Sequence, residues 1–379
     1  MTRVYLIRHA QSEGNLFARS QGCYNAPVSP RGMEQIAVLE KRFLTIPVDA
    51  VYASDLIRTQ ITAQAVAGPK GLPVQIEPQF RELNMGFLEN LPVGEFFCHP
   101  SGQGEAFHNF SRQWAPEGGE TFQQVADRSL SAFFRIANRH PGETVCIFTH
   151  GTLLHCLQSA LRGKHPENYH EGEGCENTGV SCYEVDGGKF RILFENDASH
   201  LPYELTHQSE RRVLAPDGKF HFPFFRPMTL DTETAASEYL EARKDAWIEL
   251  YGSLLDFDGE GYLSEARDEA AWDPRALTRI LYKEESVGIL QLATLKGAQE
   301  GIGHIPFLYL KPGWRSKGLG RQALGQALYT YRDMGRKCLQ LQCAPENTGA
   351  QRFYRRYGFV SVGEVPGVKG FLDLLQRDI

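Results

Sequence analysis

The chain has 379 residues, of which 42% are hydrophobic, and its formal net charge is −6. This length predicts two domains with substantial cores, and the mild acidity makes neither nucleic acid nor an anionic membrane an expected partner. No stretch approaches the roughly 20 apolar residues of a membrane-spanning helix. Arg8 interrupts the first apolar run, so no signal peptide is expected there. The eight cysteines include no Cys-x-x-Cys pair, which favours reduced thiols and a cytoplasmic location.

The first half of the chain is organised around an apolar run, residues 4–7, that leads directly into Arg8 and His9. A run of this length is typical of a buried strand, and the carboxyl ends of strands in α/β sheets are where ligands bind. At such a position Arg8 is suited to hold an anion and His9 to act as a nucleophile. The same pattern recurs where residues 144–149 lead into His150, which predicts a second histidine at a strand end.

The stretch between these two strands contributes further candidates. Arg58 follows a short predicted strand and lies near the partly positive start of a helix, and Glu82 stands near a glycine. Residues 92–119 are irregular and aromatic, and they are predicted to form an active-site insertion or lid. The aromatic residues that either shape an apolar or sugar-like substrate site or serve ordinary lid packing are Phe87, Phe96, Phe97, Phe107 and Trp114.

A hairpin over residues 181–194 completes the first half, and the proline-containing, charged segment 206–222 is predicted to be a linker. The second half is predicted to begin with a strand at 220–228 and a helix at 232–250. A loop rich in Gly, Glu and Asp is expected at 252–274. The further strands are predicted at 277–282, 286–292, 304–310 and 338–343.

Four segments of the first half carry a family resemblance, and they are residues 6–15, 54–62, 81–86 and 148–151. In this order they resemble the motifs of the histidine phosphatase superfamily, which has the phosphoglycerate-mutase-like fold. The resemblance covers residues 1–205 and implies a three-layer α/β/α domain. Ala10 departs from the commoner glycine, but a small residue there preserves access to the site.

The resemblance also implies a role for each matching residue. His9 becomes phosphorylated, Glu82 donates a proton, and three cationic or imidazole side chains surround the phosphoryl group. These three are Arg8, Arg58 and His150. The implied substrate- and phosphate-binding residues are Asn15, Gln21, Gly22 and Gly151.

The implied chemistry suits these residue types without a metal ion. A neutral imidazole attacks phosphorus, guanidinium groups match the phosphate oxygens, and Glu82 protonates the leaving alcohol and then activates water. Glu13 is the alternative donor if Glu82 is a surface carboxylate. Mutases of the family place a basic residue after the acidic glutamate and have a longer basic insertion, whereas here Leu83 follows Glu82. Hydrolysis of a monophosphate is therefore predicted, with a phosphomutase as the alternative.

In the second half, the turn from Arg315 to Gly320 lies between a predicted strand and a helix and has the pattern Arg-x-x-Gly-x-Gly. Such a turn can hold phosphate on free backbone N–H groups. Together with residues 347–359 it resembles the GNAT N-acetyltransferase family, over residues 223–379. The resemblance implies an α+β domain with a mixed sheet, acetyl-CoA as cosubstrate, and Tyr354 as the acid that protonates the departing thiolate. The implied acetyl-CoA-binding residues are Leu308, Leu310, Arg315, Ser316, Lys317, Gly318, Leu319, Gly320, Arg321 and Asn347.

The base that accepts the proton of the amine stays open among His304, Glu300 and Glu284. The chain is thus predicted to be a bifunctional enzyme that hydrolyses a small phosphate ester and acetylates a small amine. An alternative is that the second half senses acetyl-CoA without acetylating an amine. The sequence leaves open whether the chain forms an oligomer and whether the two sites are coupled.

Overall fold

The computed structural model of the chain describes residues 1–170, 174–214 and 219–379, and the chain divides into two units, 1–213 and 214–379. The strands of the first unit are β1 (Thr2–Arg8), β2 (Ala50–Ala53), β3 (Val74–Ile76), β4 (Thr144–Thr149), β5 (Val180–Asp186) and β6 (Lys189–Asp197). Its helices are α1 (Glu13–Leu16), α2 (Pro30–Phe43), α3 (Ile57–Lys70), α4 (Val93–Phe97), α5 (Gln103–His108), α6 (Phe122–Arg139), α7 (Gly151–Leu161) and α8 (His207–Leu214).

The strands of the first unit form one sheet in the order β3-β2-β4-β1-β5-β6, in which β1 to β4 are parallel. β1 is buried on both faces, because Val4 and Leu6 belong to one core while Tyr5 and Ile7 belong to another. Helices α6 and α7 contribute to the first core, and α2 and α3 contribute to the second. The three-layer prediction is confirmed, and burial on both faces explains the continuous apolar run.

The pairing of β1 with β4 determines where the candidate site lies. The two strands are in register, so Arg8 stands opposite Thr149. The N–H of His9 donates to the carbonyl of Thr149 at 2.9 Å. His9 and His150 therefore leave the sheet next to each other at its carboxyl edge.

The second unit contains a second mixed sheet. Its strands are β7 (Phe224–Pro227), β8 (Leu277–Tyr282), β9 (Glu285–Ala293), β10 (Ile302–Leu310), β11 (Cys338–Cys343), β12 (Val360–Gly367) and β13 (Gly370–Asp378). Its helices are α9 (Glu233–Tyr251), α10 (Gly259–Trp272), α11 (Leu319–Asp333) and α12 (Thr348–Arg356). The strand order is β12-β13-β11-β10-β9-β8-β7, with β10 and β11 parallel and the other neighbours antiparallel. The predicted α+β domain with a mixed sheet is confirmed.

The parallel strands β10 and β11 separate part of the way along. Their pairing ends at Ile305 and Leu341, although β10 extends to Leu310. The register of β10 against β9 shifts just beyond this point, and Pro306 within the irregularity has no N–H to donate. The gap between the two strands leaves backbone groups of β10 without a β11 partner.

The segment 252–274, predicted as a loop, contains helix α10, so that prediction is wrong. Asp258 caps the helix by accepting from the N–H of Gly261 at 2.8 Å. The residues on its core-facing side are Tyr262, Leu263, Ala266 and Ala270. This apolar stripe has helical spacing, and the glycines and acidic residues around it hid the pattern in the sequence.

The segment 206–222, predicted as a linker, begins with helix α8, and its residues 215–218 lie outside the described part of the chain. The side-chain amide of Gln11 donates to Glu210 at 2.9 Å, and the N–H of His207 donates to the carboxylate of Glu176 at 2.9 Å. The start of the segment is thus part of the first unit. Among the helices in the described ranges, none is long and apolar enough to cross a membrane.

Candidate active sites

The ring of His9 is held in one tautomer by the backbone. Its Nδ1 lies 2.7 Å from the carbonyl oxygen of Ala10. A carbonyl oxygen only accepts, so Nδ1 carries the hydrogen and Nε2 of the neutral ring keeps its lone pair. The residue is 3% exposed, and its ring centroid lies 5.1 Å from that of His150. His9 is therefore oriented as a nucleophile through Nε2.

Burial and nearby cations keep both imidazoles neutral. Desolvation, followed by the charges of Arg58 and Arg8, lowers the pKa of His9 well below its usual value. Desolvation and Arg58 lower the pKa of His150 in the same way. Since only an unprotonated imidazole has a lone pair for attack, the electrostatics of the site favour the reactive form at neutral pH.

The two arginines of the site are held by neutral carbonyl groups. Arg58 is 1% exposed and donates to the carbonyls of Gly22 and Tyr24, both at 2.8 Å. Arg8 donates through Nη1 to the carbonyl of Cys175, and its buried Nε has no hydrogen-bond partner among the described residues. These carbonyl groups carry no net charge, and they orient both guanidinium groups at the site.

His150 and Gly151 complete the surroundings of Arg8 and His9. His150 Nε2 lies 2.8 Å from the hydroxyl of Ser54, whereas its Nδ1 is buried without a hydrogen-bond partner in the described chain. A Cβ atom at Gly151 would lie 3.2 Å from Nε of Arg8. Glycine at this position therefore lets the guanidinium group lie against the start of α7.

Glu82 is bound to the N-terminus of α7. It is 8% exposed, and its carboxylate accepts the N–H groups of Leu83 at 2.9 Å, Leu153 at 3.0 Å and Thr152 at 3.1 Å. The first N–H groups of a helix lack partners within the helix, so a carboxylate is stabilised there. Glu82 is not a surface carboxylate, and the alternative donor Glu13 is not among the residues that line the cavity.

A cavity of about 1840 Å³ opens over these groups. The sequence-predicted site residues that line it are Arg8, His9, Asn15, Gln21, Gly22, Arg58, Glu82 and Gly151. His150 is fully buried and is not part of this lining. The predicted insertion contributes Phe96, Phe97 and Phe107 to the lining. Phe87 and Trp114 do not line the cavity: Phe87 packs on His99, and Trp114 is fully buried in the core. Phe96, Phe97 and Phe107 thus stay candidates for shaping a substrate site, whereas Phe87 and Trp114 serve packing.

The sequence did not single out several residues that support the site. Asn177 donates from its amide to the carbonyl of His9 at 3.0 Å, and its Oδ1 lies 2.8 Å from Nε2 of His207. Burial, together with Arg8 and Arg211, lowers the pKa of His207 to about 3. His207 and Arg211 both line the cavity, although they belong to the predicted linker. No motif marks them, because their position depends on how α8 packs.

The glycine-rich turn of the second unit precedes α11. Ser316 and Gly318 have φ values of 59° and 78°, which reverse the chain before the helix begins. A Cβ atom at Gly320 would lie 3.2 Å from the ring of Phe353. Nη1 of Arg315 donates to the carboxylate of Glu249 at 2.6 Å, so this side chain already has an acidic partner. The first N–H groups of a helix lack partners within the helix, and those at the start of α11 can therefore bind an anion. Of the remaining predicted residues, Leu308 and Leu310 lie on β10 and Lys317 lies in the turn. Leu319 and Arg321 lie in the first turn of α11.

A cavity of about 360 Å³ lies where β10 and β11 separate, and it is lined by His304 and Phe307 of β10 and Gln342 of β11. Burial lowers the pKa of His304, which favours its neutral, proton-accepting form. Neither Glu300 nor Glu284 lines this cavity. His304 is therefore the best placed of the three candidate bases.

Tyr354 and Asn347 lie on or next to α12 and are not among the residues that line this cavity. The ring centroid of Tyr354 lies 5.2 Å from that of Phe353 and 5.5 Å from that of Phe359. Burial raises the pKa of Tyr354, so its phenol stays protonated at neutral pH. Asn347 accepts the N–H of Ala350 at 3.0 Å and caps α12.

Three kinds of comparison relate the chain to known proteins. The model of the histidine phosphatase superfamily (branch 1) matches residues 4–198, and that of the acetyltransferase (GNAT) family matches residues 238–359. The probable phosphoglycerate mutase GpmB of Enterobacter sp. (strain 638) is 31% identical over 163 residues, which are 43% of this chain and 76% of that protein. Among solved structures, Bacillus stearothermophilus YhfR is 32% identical with a TM-score of 0.51, covering 53% of this chain and 99% of that one.

No group of three or more His, Cys, Asp or Glu side chains that could hold a metal ion occurs within the described residues.

The stability of the first unit should decrease as the pH falls below about 6.5. Burial and Arg42 lower the pKa of His200 to about 4, so the unfolded chain takes up a proton near pH 6.5 that the folded chain does not bind. At pH 5.5 this residue alone should cost about 1.4 kcal/mol relative to pH 7.5. Urea unfolding of the full chain at both pH values measures the loss. His200→Gln should remove about 1.4 kcal/mol of it, whereas His108→Gln, at an exposed site, serves as the control. Equal pH dependence of His200→Gln and the unmodified chain would contradict this assignment.

Proposed function

The chain belongs to the histidine phosphatase superfamily and carries a GNAT acetyltransferase domain, and we propose on this basis that it is a bifunctional cytoplasmic enzyme. One site hydrolyses a small phosphomonoester through a phosphohistidine, and the other transfers an acetyl group from acetyl-CoA to a small amine. The observation that carries the first activity is the neutral, tautomerically defined His9 beside two buried nitrogens that have no hydrogen-bond partner among the described residues. These nitrogens are Nε of Arg8 and Nδ1 of His150.

In the first step, Nε2 of His9 attacks phosphorus and the bond from phosphorus to the ester oxygen breaks. Arg8 and Arg58 neutralise the phosphoryl oxygens, which spread negative charge in the transition state. The leaving oxygen takes a proton from the carboxylic acid form of Glu82.

In the second step, water attacks phosphorus and the bond to Nε2 of His9 breaks. The carboxylate of Glu82 takes a proton from the attacking water, so phosphate leaves and both side chains return to their starting forms. Since the same carboxylate acts as acid and then as base, the cavity must admit water after the alcohol has left. The volume of about 1840 Å³ supports this requirement.

A phosphomutase is the second candidate for this site, and the similarity to the probable phosphoglycerate mutase of Enterobacter favours it. A mutase must hold a doubly phosphorylated intermediate and therefore needs extra cations near the acid. Here the residue after Glu82 is the fully buried Leu83, and the insertion contributes phenylalanine rings to the cavity. These features favour hydrolysis.

For the second activity, the N–H groups at the start of α11 would hold the pyrophosphate of acetyl-CoA. The backbone of β10 beyond Ile305, which has no β11 partner, would align the pantetheine arm, because this arm is itself an extended chain that contains amides. His304 would take the proton of the amine, and Tyr354 would protonate the departing thiolate. The alternative, a unit that only senses acetyl-CoA, uses the same binding groups without turnover.

Replacing His9 tests the phosphatase half. His9→Ala should lower phosphate release from a monoester about 10⁴-fold or more, because the nucleophile is lost. A pulse of radiolabelled monoester, quenched in alkali, should label the unmodified chain and leave His9→Ala unlabelled. His165→Ala, outside the cavity, should retain both activities.

Phosphate release that depends on an added bisphosphate primer would favour the mutase. Loss of acetyl transfer together with phosphate release in His9→Ala would contradict two independent sites.

Replacing Glu82 tests the proton donor. Glu82→Gln keeps the shape of the side chain and should lower kcat for alkyl phosphates about 10²- to 10⁴-fold. An aryl phosphate with an acidic leaving group needs less protonation, so its rate should fall much less. Glu13→Gln is the matched control, since Glu13 is the alternative donor. If the decrease in kcat depends on the leaving group in Glu13→Gln and not in Glu82→Gln, Glu13 would be the proton donor in place of Glu82.

Replacing Tyr354 tests the acetyltransferase half. Tyr354→Phe keeps the ring between Phe353 and Phe359 and removes the hydroxyl, so kcat for CoA release should fall about 10- to 100-fold. Tyr357→Phe removes a nearby hydroxyl and should have little effect. The measurement is thiol release with a panel of amines. Binding of acetyl-CoA by the unmodified chain without thiol release on any amine would instead favour the sensor.

A further inference from the structure

The cavity at the separation of β10 and β11 contains an arginine that the reaction described above does not use. We infer that Arg243 binds an anionic group of the acetyl acceptor, so that the acceptor is a small amine that also bears a carboxylate or phosphate. This inference rests on the proposed acetyltransferase function and specifies its substrate class.

Arg243 lies on α9, is 9% exposed and lines the cavity. Its Nε donates to the hydroxyl of Tyr239 at 2.8 Å, and its Nη2 donates to the side-chain oxygen of Gln291 at 2.6 Å. Its third nitrogen, Nη1, makes no hydrogen bond to any residue that the structure describes. The guanidinium group is therefore fixed on one side and has donor capacity left for a ligand.

The partners of Arg243 orient its charge without neutralising it. The guanidinium carbon lies 4.0 Å from the ring centroid of Phe307 and 4.4 Å from that of Tyr262. Aromatic faces attract a cation but carry no net charge. In the described ranges, no carboxylate forms an ion pair with Arg243. Buried charges are ordinarily paired, so an unneutralised guanidinium in a cavity suits an anionic occupant.

A second donor lies one helical turn further along α9. Trp247 is 7% exposed and lines the same cavity, and its buried indole N–H has no hydrogen-bond partner among the described residues. Residues four positions apart share one face of a helix. Two neighbouring donors without acceptors indicate a ligand that brings acceptor oxygens to this face of α9.

The same cavity also has groups that suit an amine. Glu265 and His304 line it, and they suit an ammonium group and the proton that it must lose before attack. Lys296 adds a further positive charge to the lining. The volume of about 360 Å³ fits a small molecule. The lining thus combines groups for an amine with groups for an anion.

The test compares matched amines that differ in the anionic group. Thiol release from acetyl-CoA is measured with α-amino acids and their amides, and with aminoalkyl phosphates and the corresponding amino alcohols. In at least one pair, kcat/KM for the anionic amine should exceed that for its neutral counterpart about tenfold or more. The pair with the larger ratio shows whether the site prefers a carboxylate or a phosphate. Arg243→Met should reduce this preference about tenfold, and Trp247→Phe should reduce it by a smaller factor.

Lys244→Met is the matched control, because it removes an exposed positive charge from the next position on α9 and should leave the preference unchanged. Calorimetric binding of acetyl-CoA reports whether each variant is folded. If Arg243→Met does not bind acetyl-CoA, it is not folded, and the anion preference of Trp247→Phe then tests the inference, because the phenylalanine ring preserves the packing.

The outcomes distinguish a failure of anion binding by Arg243 from a failure of the proposed acetyl transfer. Thiol release with equal kcat/KM for anionic and neutral amines would overturn this inference and leave acetyl transfer intact. An anion preference that persists in both Arg243→Met and Trp247→Phe would overturn the assignment to these residues. Absence of thiol release with every amine would overturn acetyl transfer and this inference together.

Discussion

The parallel pairing of β1 with β4 is the constraint on which the first site depends. It sets Arg8 opposite Thr149 and so brings His9 and His150 to one edge with their ring centroids 5.1 Å apart. A shift of one residue in this register would exchange the two faces of β1 and place its apolar side chains in the wrong cores. The packing of both cores therefore also maintains the geometry of the catalytic candidates.

Both sites place arginine side chains among neutral partners. Carbonyl groups hold Arg58 and Arg8 in the first unit, while a phenol, an amide and aromatic rings hold Arg243 in the second. Such partners satisfy the directional donors of a guanidinium group without adding a negative charge. Near His9 the charges of Arg58 and Arg8 have a second effect, because they disfavour protonation of the imidazole. In the proposed reaction, one set of groups would therefore both bind the substrate anion and keep the attacking imidazole neutral.

The first site extends beyond the part of the chain that the superfamily model matches. That match ends at residue 198, whereas His207 and Arg211 of α8 line the cavity. A chain of hydrogen bonds runs from His207 through Asn177 to the backbone of His9. The segment after the matched domain is thus structurally part of the site, and truncation before it would expose the surroundings of His9.

The sequence by itself determined the elements whose chemistry is local. Arg8 and His9, Arg58, Glu82 and His150 each stand in a short motif next to a strand or helix end, so these motifs marked them as candidates. The family resemblance that the motifs carry implied the three-layer fold. The tertiary structure alone decided the position of α8, the helical state of 259–272, the capping by Asn347 and the burial of Arg243. Periodicity treats an arginine on a helix as a surface residue. The rings that surround Arg243 come from α9, α10 and β10, elements distant in sequence that meet only when the chain has folded.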